Sequence, residues 1–271
     1  MKRLIWLLVV LALAACNNTP APPPTLPASR SPTLLQIGVT SSAGAIIPLV
    51  ETVYAQEYPQ VELQFVVANS TALVDDLANN LLDAVLLHYI PEGNNRYFNP
   101  VALDGLVIIV HPDNPVQGLT SAEVQAIFNG RLTNWQSVGG ANQEIGLLSR
   151  EQGSELRTLL RQQIMAEQRI SPNARLQTGN EAMLTAVADN PAAIGYSSMS
   201  SAGQSAVKML PIDGRSATPG TTAGQTYPLT TPLYFLAATE NEPTGELRAF
   251  LAWLQSEAGQ EVIEGVYGRV R

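Results

Sequence analysis

The chain has 271 residues, 45% hydrophobic and only 14% charged, with a formal net charge of −8. That length holds one large domain or two small ones, and the composition excludes a disordered acidic tail or a collagen-like chain. Without the two cations Lys2 and Arg3 the charge is −10 and Lys208 is the only lysine, which excludes a nucleic-acid partner held by a basic stripe; one cysteine and two histidines exclude a disulfide framework and a Cys- or His-rich metal centre, and no cofactor is expected.

Lys2 and Arg3 precede an apolar run, Leu4–Ala15. It falls short of the roughly 20 residues a helix needs to cross a bilayer and fits a secretory signal peptide over residues 1–15. Leu13-Ala14-Ala15-Cys16 resembles a bacterial lipobox, which implies cleavage before Cys16 and a diacylglycerol on its sulfur. An ordinary signal peptide with Cys16 incidental is the alternative. Two or more acyl chains anchor a protein stably. Residues 16–32 then form a lipidated cysteine and a proline-rich tether; at about 3.1 Å per residue it reaches roughly 50 Å if extended. The expected location is extracytoplasmic, on the periplasmic side or outer face of the cell membrane, held there through lipid alone.

Beyond the tether, strands and helices alternate. Leu34–Val39 reads as a buried strand, and Ser41 to Tyr58 as a helix with apolar Ile46, Val50, Val53 and Tyr54, where Pro48 is tolerable only in the first turn. Val61–Val67 predicts a strand, Ser70–Asn80 a helix, Asp83–Leu87 a short strand and Val101–His111 a long one broken by Asp104-Gly105. Thr120 and Glu123 form a capping box for a helix that Gly130 closes. Ile145–Ser149 predicts a strand, Ser154–Gln168 and Glu181–Asp189 helices, and Ala193–Ser197 and Val207–Ile212 strands. Residues 213–226 read as a loop, Pro228–Thr239 as a strand and Thr244–Gln255 as the last strong helix. Repeated strand–helix alternation predicts α/β layers with mainly parallel sheets.

In such sheets ligands sit beyond the carboxyl ends of strands, where helix N-termini converge. Three groups stand there: Thr40-Ser41-Ser42-Ala43-Gly44, Asn69-Ser70-Thr71, and Arg150 through Gly153 and Ser154. Unpaired N–H groups at helix starts and short hydroxyls suit an anion, and Arg150 adds a charged fork that matches oxyanions. Helix capping alone accounts for any one group, since Ser and Thr are the commonest caps. His111, before Pro112, reads as structural, and Trp135 and Trp253 as core.

Residues 102–157 go beyond pattern: Ala102-x-Asp104-Gly105, Asn114-Pro115, Ile127-Phe128-x-Gly130, Thr133-Asn134-Trp135 and Ser149-Arg150-Glu151-x-Gly153-Ser154. Asn190-Pro191-x-Ala193-Ile194-Gly195-Tyr196 and Tyr227-Pro228-Leu229 through Pro232-Leu233-Tyr234 continue the series. This set resembles the phosphate-binding (PstS-like) solute-binding proteins of bacterial ABC importers. The resemblance implies a two-lobed periplasmic-binding-protein fold of type II with a mixed, mainly parallel sheet in each lobe. Residues 33–104 plus 228–271 would form lobe I and 105–227 lobe II, closing on a solute like a hinge. It also implies Arg150 and Ser154 as ligand residues, with Thr40, Ser41 and Ser42 in the first hydroxyl loop. Two positions depart from the family. Glu155 and Leu156 replace the Gly and Thr after the serine, and His88 falls near its sensing carboxylate. Glu155 would accept a ligand proton, repel an anion or neutralise Arg150, and a protonated His88 would be a second cation at the mouth.

The expected function is therefore a lipid-anchored solute-binding protein, monomeric, capturing phosphate or a related oxyanion for the permease subunits of an ABC importer. The alternative is a divergent binding or sensory lipoprotein of the same fold that no longer binds phosphate. An enzyme is not expected, as the chain lacks G-x-S-x-G, H-E-x-x-H and P-loop motifs.

Overall fold

The computed structural model describes residues 32–166 and 168–270. The expected signal peptide, Cys16 and the tether to residue 31 lie outside the described residues. Thr33–Thr40 (β1) pairs in parallel with Val61–Ala68 (β2) and with Ala84–Leu87 (β3). A 3₁₀ turn at Gly44–Ile46 leads into Ile47–Glu57 (α1), whose Pro48 stands in the first turn, where a missing N–H costs nothing. Ser70–Ala78 (α2) starts at Asn69, whose side chain accepts from the Ala72 N–H.

Phe98–Val110 (β4) begins before the predicted strand and is thirteen residues long. Its first half runs antiparallel to Thr230–Ala237 (β9). Its second half runs antiparallel to Ala193–Ser198 (β7) and Lys208–Leu210 (β8). Gly146–Arg150 (β5) lies parallel to β7 and to Arg175–Gln177 (β6). The strand order is β2-β1-β3-β9-β4-β7-β5-β6, with β8 beside β4. The sheet is mixed, as expected: its outer pairings are parallel, and every antiparallel pairing between these strands involves β4 or β9, the two that pass through its middle.

The helices of the second half are Ser121–Phe128 (α3), Glu155–Leu160 (α4), Asn180–Ala188 (α5), Met199–Ala202 (α6), Pro219–Ala223 (α7), Gly245–Gln255 (α8) and Glu257–Ile263 (α9). The capping box of Thr120 and Glu123 forms as predicted. The helix expected over Ser154–Gln168 is α-helical only to Leu160 and continues as a π-helical turn, Arg161–Met165. The expected loop at 213–226 contains α7, a short polar helix held by a capping box between Thr218 and Thr221; with one turn and no apolar face it leaves no periodicity to read.

Buried side chains fall into two main cores. One gathers Ile37, Val39, Tyr54, Phe235, Phe250 and Trp253, and the other Ile108, Phe128, Trp135, Leu156 and Tyr196. β4 serves both, with Val101 and Ala102 in the first core and Leu106–Val110 in the second, and Leu233 of β9 and Leu229 just before that strand divide likewise. Between the cores the paired strands turn polar, with Asp104 opposite Thr231 and Gly105 opposite Thr230. The result is a two-lobed α/β fold whose lobes meet around these positions.

Candidate functional site

Four segment ends converge where the cores part. β1 ends in Thr40, with Ser41 and Ser42 following; His88 follows β3; β5 ends in Arg150; and Ser154 caps α4, accepting from the Arg157 N–H, so that Glu155 is the first helical residue. Thr40, Ser42, His88, Arg150, Ser154 and Glu155 are all buried.

The Glu155 carboxylate is the centre of one cluster. Its Oε1 accepts from Thr40 Oγ1 at 2.5 Å, from Ser42 Oγ, and from His88 Nδ1 at 2.7 Å. Its Oε2 accepts from the His88 backbone N–H at 2.7 Å. On the far side of the imidazole, Nε2 lies 3.1 Å from Asp104 Oδ2. Asp104 is fully buried and also accepts from the Gly105 N–H, the Ser200 N–H and the Ser200 hydroxyl. An ionised carboxylate can only accept, so a ring flanked by two of them must donate from both nitrogens. His88 is thus an imidazolium clamped between two carboxylates.

Burial works against this charge, but the Glu155 charge and the hydrogen bonds to Asp104 and Glu155 outweigh it and raise the His88 pKa from 6.5 to about 10. For Glu155, burial pushes upward, while the His88 charge and hydrogen bonds from His88, Ser42 and Thr40 hold the carboxyl below its usual range. The raised histidine contributes stability that is complete below pH 6.5 and lost as pH rises towards about 10; the depressed carboxyl contributes above its unfolded value of 4.5 and loses it below. The urea midpoint should therefore be highest between about pH 4.5 and 6.5 and fall towards pH 9, and Glu155→Gln should flatten that fall. An unchanged alkaline slope in the variant would place the titrating group elsewhere.

Arg150 forms the second cluster. Its side chain is buried, Nε and Nη2 donate to Glu151 at 2.9 and 3.1 Å, and Nη2 lies 3.4 Å from Ser41 Oγ. Ser41 Oγ also accepts from the Asn180 N–H at 3.3 Å. Nη1 is buried and has no partner among the described residues. Burial opposes ionisation of Glu151, but the hydrogen bonds and charge of Arg150 prevail and keep its carboxyl low.

A third contact joins α2 to the α4 loop. Ser70 Oγ donates to the Gly153 carbonyl at 2.7 Å and the Thr71 N–H approaches the same oxygen at 3.4 Å. Gly153 sits at φ +85°, and a Cβ there would stand 2.9 Å from Thr71 Oγ1, so both conformation and space require glycine.

All ten candidate residues thus lie in or beside one junction, with two changes of role. His88 is not a cation at the mouth; it follows a buried strand and is enclosed by two carboxylates. Glu155 does not neutralise Arg150, because its side chain reaches the β1 and β3 ends and the adjacent Glu151 takes the guanidinium. Sequence reading missed Asp104, Ser200 and Glu151 as parts of the site. An aspartate inside a long apolar strand was a usable signal, since a buried carboxylate must be paired. Ser197-Ser198-Met199-Ser200-Ser201 at the end of β7 was another hydroxyl group after a strand. Its Ser198 and Ser201 hydroxyls both donate to the Ser42 carbonyl, at 2.6 and 3.0 Å. His111 accepts from the Asp113 N–H and stands apart from the junction. Among the described residues no group of His, Cys, Asp and Glu could hold a metal ion.

The family described as PBP superfamily domain matches residues 26–258. The phosphate-binding protein PstS of Pseudomonas aeruginosa is 26% identical over 299 residues, covering 97% of this chain and 93% of its own. A phosphate ABC transporter substrate-binding protein from Clostridium perfringens, solved with bound phosphate, is 25% identical with a TM-score of 0.82, covering 88% of this chain and all of that one. An ABC-type phosphate transport receptor from Vibrio cholerae is 28% identical with a TM-score of 0.70 over 87% of this chain and all of that one.

Proposed function

The chain belongs to the PBP superfamily, and from that premise we propose that it is an extracytoplasmic solute-binding protein that closes two lobes on phosphate or a related small oxyanion and presents it to an ABC importer. The lobes are residues 33–104 with 228–271, and 105–227, hinged where β4 and β9 cross between the cores. The observation that carries this reading is Arg150. A guanidinium with 1% exposure and an Nη1 lacking any partner among the described residues is costly unless something negative completes it. Ser41 Oγ, just past the end of a strand of the other lobe, lies 3.4 Å from Arg150 Nη2, and relatives that bind phosphate match along almost the whole chain. Ser41, Ser70, Thr71, Gly153 and Ser154 would complete the lining with Thr40, Ser42 and His88. The relatives are binding proteins and no chemical step on the solute is involved.

Calorimetry of residues 32–271, a compact unit by themselves, with phosphate, sulfate and molybdate tests this directly. Heat from at least one of them is expected, and silence from all three would sink the oxyanion reading. Glu155 favours a second reading, a binding or sensory protein of the same fold whose solute is not phosphate, because its carboxylate already holds donors that a phosphate would need. Binding of sulfate or molybdate without phosphate would select it.

Anchoring rests on Cys16. The Cys16→Ser protein should appear in the soluble fraction where the parent is membrane-associated; retention of the variant in membranes would argue for an uncleaved N-terminal helix.

A further inference from the structure

Glu155 is joined to one lobe by its backbone and to the other by its side chain. The next residue, Leu156, packs in the same core as Phe128 and Tyr196, whereas Thr40 ends and His88 follows strands whose Val39 and Leu86 pack in the other core. Four hydrogen bonds, from Thr40, Ser42 and both the ring and backbone of His88, end on this one carboxylate. Two hydroxyls, an N–H and a cationic ring arranged around two oxygens are what an oxyanion would require.

We propose that Glu155 is a resident anion: its carboxylate occupies the hydroxyl side of the solute site and latches the lobes together in the absence of solute. The ligand part of this proposal rests on the solute-binding reading; the latch does not. Two consequences follow. A solute can reach Thr40, Ser42 and His88 only by displacing Glu155, which trades four existing charge-assisted bonds for new ones and weakens apparent affinity. The buried trio of Asp104, His88 and Glu155 also carries a net charge of −1, so a dianion entering beside it meets repulsion that vanishes when Glu155 is removed. Glu155 therefore acts against phosphate dianion in particular, and Arg150 Nη1 is the buried side-chain atom of these clusters that has no partner among the described residues.

The test separates latch from ligand. Spin labels on Leu81→Cys and Leu176→Cys, which are 59% and 60% exposed and lie in different lobes, report lobe separation in residues 32–271, where no other cysteine is present. Without any anion, the otherwise unaltered protein should give one short, narrow distance distribution. Glu155→Ala should give a longer, broader one that phosphate shortens. Its phosphate dissociation constant should be lower by about tenfold or more, the scale of one lost competing charge contact. The pair Thr40→Ala with Ser42→Ala, which removes the donors but keeps the carboxylate, should also open without gaining affinity. Identical distributions for the unaltered protein and Glu155→Ala would overturn the latch. Opening of Glu155→Ala with no binding of phosphate, sulfate or molybdate would leave the latch standing and remove the oxyanion reading instead.

Discussion

Arg150→Ala should weaken anion binding by about 2–5 kcal/mol, roughly 30-fold to several thousandfold in dissociation constant. The size follows from burial. An anion bound to a guanidinium excluded from water loses its countercharge on substitution and stays desolvated, and that penalty adds to the lost attraction. The effect is best measured in the Glu155→Ala background, where binding is expected to be tightest and the loss falls within the range of calorimetry. Folding should survive, because the partner left behind, Glu151, keeps 20% of its side-chain surface in water and can rehydrate. Arg150→Lys should recover only part of the loss, since a point charge cannot hold Glu151 along one edge and present Nη1 with the other. An unchanged dissociation constant in Arg150→Ala would remove this residue from the site and, with it, the observation on which the oxyanion reading stands.

Much of the junction was legible because it obeys a local rule: small hydroxylic residues at strand ends that open helices. Thr40-Ser41-Ser42, Ser70-Thr71 and Arg150 to Ser154 follow that rule, and the folded chain brings them together. The rule gives no pairing between segments, so it could not say whether Glu151 or Glu155 meets Arg150. That depends on direction: Glu151 follows the strand end directly, whereas Glu155 sits at the first position of α4 and points at the other lobe. Asp104 escaped for the opposite reason. Its meaning lies in residues 16 and 96 positions away, His88 and Ser200, contacts that only the register of β4 against β7 and β9 creates. In the fold at large, alternation of strands and helices was visible while the central antiparallel pairings were not, because a strand buried on both faces reads the same in either direction. The short helices α6, α7 and α9 lack the length for a helical period and are marked by their caps, Ser198, Thr218 and Ser256.

His88→Ala should be the most destabilising single change at the junction, by about 3–5 kcal/mol, because it removes the only cation between two buried carboxylates. Glu155 and Asp104 would then face each other across the space of an imidazole, two buried like charges with no cation between them. For a domain of this size each kcal/mol corresponds to about 2–4 °C in Tm. Glu155→Ala should cost less, since the imidazolium keeps Asp104 as a partner, and Asp104 retains two N–H donors and the Ser200 hydroxyl besides. The double variant His88→Ala with Glu155→Ala should be more stable than His88→Ala alone, an inversion that additive contributions cannot produce and that a stranded charge requires. Urea unfolding of the four proteins at pH 6, where the pair's contribution is complete, measures all three differences. Equal destabilisation by the two single changes, or a double variant weaker than His88→Ala, would mean that His88 holds its place by packing and not by charge.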